Sequence, residues 1–109
     1  MSRSAIATRM LPSPETMRRH ATEAATLLRA VGNENRLMVL CALAAGESSV
    51  GELLERVDLS QSALSQHLAV LRARKLVTTR RESQMIYYSL TDPRARDLIG
   101  FLYTTYCDA

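Results

Sequence analysis

The sequence predicts a mainly α-helical domain that carries one β-hairpin. The stretch 59–75 (LSQSALSQHLAVLRARK) puts Leu64, Leu68 and Leu71 on one side of a helix, opposite small polar residues. A shorter helical segment, 50–57, precedes it across a connection of the length that a helix-turn-helix needs. Two strand-like runs follow, 76–82 and 85–90, joined around Ser83 and Gln84. The order helix, turn, helix and hairpin is that of a winged helix-turn-helix.

Length and composition limit the classes of function. A chain of 109 residues is expected to form one domain, and a net charge of +3 permits nucleic-acid binding without requiring it. The charge excess lies before Leu37, where six arginines face three glutamates. The longest apolar run, Leu37 to Ala45, is nine residues, and the first residues lack the apolar core of a signal peptide. We therefore expect a cytoplasmic protein, in which Cys41 and Cys107 are normally reduced and any pairing between them is conditional.

Capping signals predict where the other elements begin and end. Residues 1–13 are expected to be a flexible N-terminal segment, and residues 14–109 the folded domain. Ser13 with Pro14 is predicted to start helix 14–31, which ends at Gly32, and Asn33 to start helix 34–45, which ends at Gly46. A capping box of Ser49 and Glu52 starts the short helix 50–57, and Ser60 caps the helix that follows it. Asp92 with Pro93 starts a last helix that reaches about Cys107.

The apolar faces of the outer helices predict a second copy of the chain. The first helix has Met17, Ala21, Ala24, Ala25, Leu28 and Val31 on one face, and the last has Ala95, Leu98, Ile99, Leu102, Tyr103 and Tyr106. Terminal helices this apolar indicate a twofold homodimer through both. In the second helix the predicted buried stripe is Leu37, Leu40, Cys41 and Ala44, so that Cys41 points inward or toward a helix interface.

Two surfaces are candidates for contact with a partner. One is the front of helix 59–75, with Ser62, Ser65, Gln66, Ala69 and Arg72, and its alternative interpretation is an ordinary solvated face. The other is the hairpin end, where Arg80 and Arg81 lie near Gln84; an ordinary solvated turn is the alternative there.

The string S-x-x-SQHL-x-x-L-R, followed by LV and the segment RRESQMIYYSL, resembles the ArsR/SmtB family of bacterial winged-helix repressors from about Met17 to Cys107. The resemblance implies a homodimer whose recognition helices enter the major groove of a palindromic operator, and an inducer that weakens this binding. The DNA contacts that it implies are Gln61, Ser62, Ser65, Gln66, His67, Arg81 and Gln84. For His67 the alternative is a histidine that only packs at the helix flank.

The cysteines suggest which branch of the family the chain resembles. The family's metal sensors carry Cys-x-Cys before the recognition helix or Asp and His ligands along the last helix; the matching segments SSVGELLE and DPRARDLIGFLYTTYC have neither. We expect no metal and no cofactor. Cys41 and Cys107 resemble instead the thiols of the dithiol-sensing SqrR/BigR branch, which implies release from DNA when they react with persulfides or other oxidants. Periodicity alone favours Cys41 as a small core residue, and the combined placement of the two cysteines reverses that preference.

Two alternative functions stay open at this point. A metal-responsive repressor would bind zinc or copper(I) stoichiometrically. A thiol oxidoreductase would normally carry Cys-x-x-Cys or a cysteine at a helix start, which this sequence lacks, so we do not expect an enzyme. Cys107 follows a helix whose C-terminal dipole disfavours a thiolate, and His20 is the imidazole expected as a possible activator.

Overall fold

A computed structural model describes residues 11–107 and confirms the mainly helical fold with a β-hairpin wing. The elements are α1 Pro14–Val31, α2 Glu34–Ala44, β1 Ser48–Ser49, α3 Val50–Arg56, α4 Gln61–Ala73, β2 Val77–Glu82, β3 Met85–Leu90 and α5 Pro93–Tyr106. The three strands form an antiparallel sheet in the order β1-β3-β2. The flexible segment expected at 1–13 falls mainly on residues outside the described range.

The helices begin where the capping residues predict. The Ser49 hydroxyl accepts a hydrogen bond from Glu52 N at 3.2 Å, and the Glu52 carboxylate accepts one from Ser49 N at 2.8 Å. Asn33 Oδ1 accepts from two backbone amides at the start of α2, each at 3.0 Å, and Asp92 accepts from Ala95 N at 2.9 Å. These bonds satisfy amides that a helix start otherwise leaves unpaired, so they fix the residues at which α2, α3 and α5 begin.

One apolar core joins the helices to the base of the sheet. Its fully buried side chains include Leu40, Leu53, Leu64, Leu68, Leu71 and Ile99, with Val77 and Leu90 from β2 and β3. Val77 and Leu90 are cross-strand partners, so the face of the hairpin that they share is the one that packs on the helices. The core therefore holds α4 from behind and sets the hairpin beside it.

The predicted stripe of α2 is wrong in part. Val39, Leu40 and Leu43 are the buried residues, whereas Cys41 and Ala44 are exposed. The reason is that α2 packs on α1, α3, α4, α5 and β3, so apolar residues occur on most of its sides and the periodicity is ambiguous. The two-residue strand β1, which pairs with Tyr87 and Tyr88, was not predicted because its pattern is too short to detect.

Candidate nucleic-acid interface and thiol pair

The front of α4 presents the polar residues that the sequence singles out. Ser60 caps the helix by accepting a hydrogen bond from Ala63 N at 3.1 Å, which places Gln61 and Ser62 in the first turn. Gln61, Ser62, Ser65 and Gln66 are exposed, and His67 is half-buried at the edge of this face. Leu64, Leu68 and Leu71 on the opposite side are 0 to 1% exposed. This helix is anchored by its back and leaves short hydrogen-bonding side chains on its front.

The hairpin forms a wing beside α4 whose two faces differ. Arg81 pairs with Ile86 and Glu82 with Met85, so the connection is the two-residue turn Ser83–Gln84, in which Ser83 has a φ of 58°. Successive residues of a strand point to opposite faces. Arg81 therefore shares the inner face of Val77, on the helix side of the sheet, and Arg80 lies on the outer face. Arg81 and Gln84 are both exposed.

Arg80, the other arginine of the wing, forms an ion pair that the sequence did not predict. Arg80 donates from Nε to Glu47 Oε2 at 2.8 Å and from Nη2 to Glu47 Oε1 at 2.9 Å. The pKa of Glu47 lies below its ordinary value, chiefly because of the hydrogen bond from Arg80. The two residues are 33 positions apart, and no local pattern links them. Only the pairing of β1 with β3 brings the segment before β1 to the outer face of the sheet.

Cys41 and Cys107 are both exposed and neither is in a disulfide. Cys41 faces a cavity of about 320 Å³ between α2 and α5, which is lined also by Ala44, Ala45, Ile99, Gly100 and Tyr103. Burial of its thiol raises the pKa of Cys41, and the negative charge of the Cys107 thiolate raises it further. Cys41 lies on α2 and Cys107 directly after α5, and these two helices pack against each other.

His20 lies away from Cys107 in the same chain. It lines a shallow cavity with Glu23, Ala24, Leu27 and Arg94. Arg94 is near the start of α5 and Cys107 follows its end, so about 20 Å of helix separates them. The expected activation of Cys107 by His20 therefore has no geometric support within one subunit.

Within residues 11–107, no three His, Cys, Asp or Glu side chains are grouped so that they could hold a metal ion. Over the same residues, no helix has both the length and the apolar character needed to cross a membrane.

A polar-fronted second helix of a helix-turn-helix, set beside a β-wing, defines a winged-helix DNA-binding regulator. Residues 33–79 match the family described as bacterial regulatory protein, arsR family. The transcriptional activator HlyU of Vibrio cholerae is 47% identical over 95 residues, covering 87% of this chain and 88% of the relative. The biofilm growth-associated repressor of Agrobacterium fabrum is 46% identical over 97 residues, covering 89% and 82%. The chain therefore belongs to the ArsR family of transcriptional regulators, and its relatives are regulators and not enzymes.

Solved structures agree with this assignment. Reduced HlyU from Vibrio cholerae superimposes with a TM-score of 0.82 at 47% identity, covering 85% of this chain and 98% of that one. The transcriptional repressor BigR from Xylella fastidiosa gives a TM-score of 0.79 at 43% identity, covering 88% and 98%. The resemblance inferred from the SQHL string and the wing is thereby confirmed at the level of the family.

Proposed function

We propose that this protein is a cytoplasmic homodimeric repressor that leaves its operator when Cys41 and Cys107 are linked by reactive sulfur species or another oxidant. The observation that carries the DNA-binding part is the exposed polar front of α4 over a fully buried leucine back. Among the relatives, one is named a repressor and another an activator. We choose repression because the proposed switch acts by loss of DNA contact.

The proposed DNA contacts follow from the chemistry of the exposed groups. Gln66 can pair with an adenine edge through two hydrogen bonds, and Ser62 and Ser65 can bond to bases or phosphates. Gln61 lies at the positive end of the α4 dipole, which favours a phosphate. His67, at the flank, would donate to a phosphate, and Arg81 with Gln84 would contact the backbone or minor groove from the wing.

The proposed dimer rests on apolar surface that one chain leaves uncovered. On α5, Phe101, Tyr103 and Tyr106 are 64%, 55% and 76% exposed, and on α1 Leu28 is 54% exposed. The two helices are neighbours, since Arg94 Nη1 lies 3.9 Å from Glu23 Oε1. The radius of gyration is 16.4 Å, above the roughly 13 Å of a compact domain of this length. A second copy packed on α1 and α5 would cover this surface and set two α4 helices about 34 Å apart, one turn of DNA.

The proposed switch is a thiol exchange between α2 and α5. Cys107 is taken as the first nucleophile because it is exposed after the end of α5, whereas Cys41 faces the cavity between α2 and α5. Its thiolate attacks the outer sulfur of a persulfide R–S–SH, which gives Cys107–S–SH and releases RS⁻. The Cys41 thiolate then attacks the Cys107 sulfur and expels HS⁻, which leaves a disulfide; a further donor would lengthen the bridge. The link restrains α5 against α2 and changes the spacing of the recognition helices, for which a coupling of about 1 to 3 kcal/mol suffices.

The test uses a duplex selected from a random library by the reduced protein. Its affinity is measured by fluorescence anisotropy before and after treatment with glutathione persulfide, with mass spectrometry to count the sulfurs added. We expect affinity to fall roughly 5- to 150-fold in the wild type and to stay unchanged in Cys41→Ser and Cys107→Ser. Release that persists in Cys107→Ser would contradict the dithiol switch and leave DNA binding intact.

A separate measurement tests the dimer. Sedimentation equilibrium at micromolar concentration is expected to give twice the chain mass, and Phe101→Glu is expected to shift it toward the monomer, because a carboxylate would be buried without a partner. Glu55→Gln on α3 serves as a surface control that keeps the wild-type mass. A monomeric wild type would contradict the proposed interface.

A further inference from the structure

The wing carries two adjacent arginines in opposite environments. Arg81 is exposed on the inner face, the side on which the sheet packs against the helices, and Arg80 lies on the outer face, paired across the sheet with Tyr87. The guanidinium of Arg80 is 4.6 Å from the centroid of the Tyr87 ring, a stacking distance. Sequence alone gives the two arginines equal standing as phosphate contacts, whereas the structure gives them different partners.

The contacts of Arg80 use the same donor geometry that binds a phosphate. Its Nε and Nη2 meet the two oxygens of Glu47 at 2.8 and 2.9 Å, a parallel fork-to-fork arrangement. Ser89 Oγ donates to the same carboxylate at 3.4 Å and helps to fix it. Glu82 is a weaker neighbour, with its Oε1 3.6 Å from Arg80 Nη1. The carboxylate of Glu47 thus occupies the two donors that Arg80 would otherwise offer to DNA.

We propose that Glu47 is a positioning residue that holds Arg80 in place of a DNA phosphate, so that Arg81 is the cation through which the wing contacts DNA. This rests on the proposed use of the wing in DNA binding. The consequence is a limit on the affinity for DNA of any sequence, because the wing then adds one phosphate contact and not two. The proposed base contacts on α4 would then decide where the protein binds. Glu47 also lines the groove of about 800 Å³ that Cys41 borders, and it lies in the segment that connects α2 to β1.

Salt dependence separates a phosphate contact from a structural role. Each phosphate contact contributes about −0.9 to the slope of log K against log salt concentration. For a non-specific duplex we expect Glu47→Gln to steepen the slope by about 0.9 and to bind roughly five-fold tighter at 0.15 M salt. Arg80→Gln is expected to keep the wild-type slope, and Arg81→Gln to lose about 0.9. The double variant Glu47→Gln with Arg80→Gln is expected to return to the wild-type slope.

Glu82→Gln is the matched control for charge. Like Glu47→Gln it removes one negative charge near Arg80, but it leaves both hydrogen bonds from Arg80 to Glu47 in place. If it increases the slope as much as Glu47→Gln does, net charge and not the ion pair is responsible, and the proposal is overturned. A wild-type slope or weaker binding in Glu47→Gln, or a loss in Arg80→Gln equal to that in Arg81→Gln, would overturn it as well. An unchanged slope in Arg81→Gln alone would instead remove Arg81 from the proposed DNA surface. Should circular dichroism show that Glu47→Gln does not fold, the Arg80→Gln slope decides by itself.

Discussion

Substitutions at Gln66 and Leu68, two positions apart in the sequence, test the two sides of α4 separately. Leu68 is 1% exposed and packs between Leu64 and Leu71 in the core. Replacing it by Ala removes three carbon groups at about 0.8 kcal/mol each, or about 2.4 kcal/mol, and the remaining cavity raises the loss toward about 5 kcal/mol. Gln66 is exposed on the front, and its replacement by Ala is expected to change stability by less than about 0.5 kcal/mol.

The effects of the two substitutions on DNA affinity are expected to be the reverse of their effects on stability. We expect Gln66→Ala to weaken binding to the selected duplex by about 1 to 3 kcal/mol per half-site, and Leu68→Ala to stay near the wild-type affinity at a temperature where it is fully folded. Urea denaturation at fixed protein concentration, together with anisotropy titration, measures both quantities. A loss of stability below about 1 kcal/mol for Leu68→Ala, or a larger loss for Gln66→Ala, would mean that the helix is rotated from the described orientation.

Further outcomes follow from other contacts. The pKa of Glu47 in the folded protein is lowered from its ordinary 4.5, chiefly by the hydrogen bond from Arg80, so the ion pair stabilises the fold fully above that pH and this stabilisation is lost as pH falls through the lowered pKa. The difference in melting temperature between wild type and Glu47→Gln is therefore expected to shrink as the pH is lowered below 4.5 and to vanish once Glu47 is protonated in the folded protein. Arg36 donates from Nε to Ala30 O at 2.6 Å and caps the end of α1, so Arg36→Met is expected to destabilise by about 1.5 to 3 kcal/mol in urea denaturation, with Arg29→Met as the exposed control. A pH-independent difference, or an unchanged Arg36→Met, would contradict these assignments.

Much of the fold was predictable because its signals are local. A cap such as Ser60 or Asp92 acts on amides three residues away, and the leucine spacing of α4 faces one core, so that both the helix starts and the buried side of α4 are confirmed. The two-residue turn at Ser83 and Gln84 was predictable for the same reason. The family followed from the recognition-helix string and the wing together.

Amino-acid order by itself therefore determined the five helices and the two hairpin strands in their order, the polar front of α4 and the two cysteines as a candidate pair. Tertiary structure decided which side of α2 is buried, since five neighbouring elements leave its apolar run without one preferred face. It also decided that Arg80 is held by Glu47 while Arg81 is exposed on the inner face, and that the charge of Cys107 acts on Cys41. Each of these depends on segments far apart in the chain, and only the packed fold brings them together.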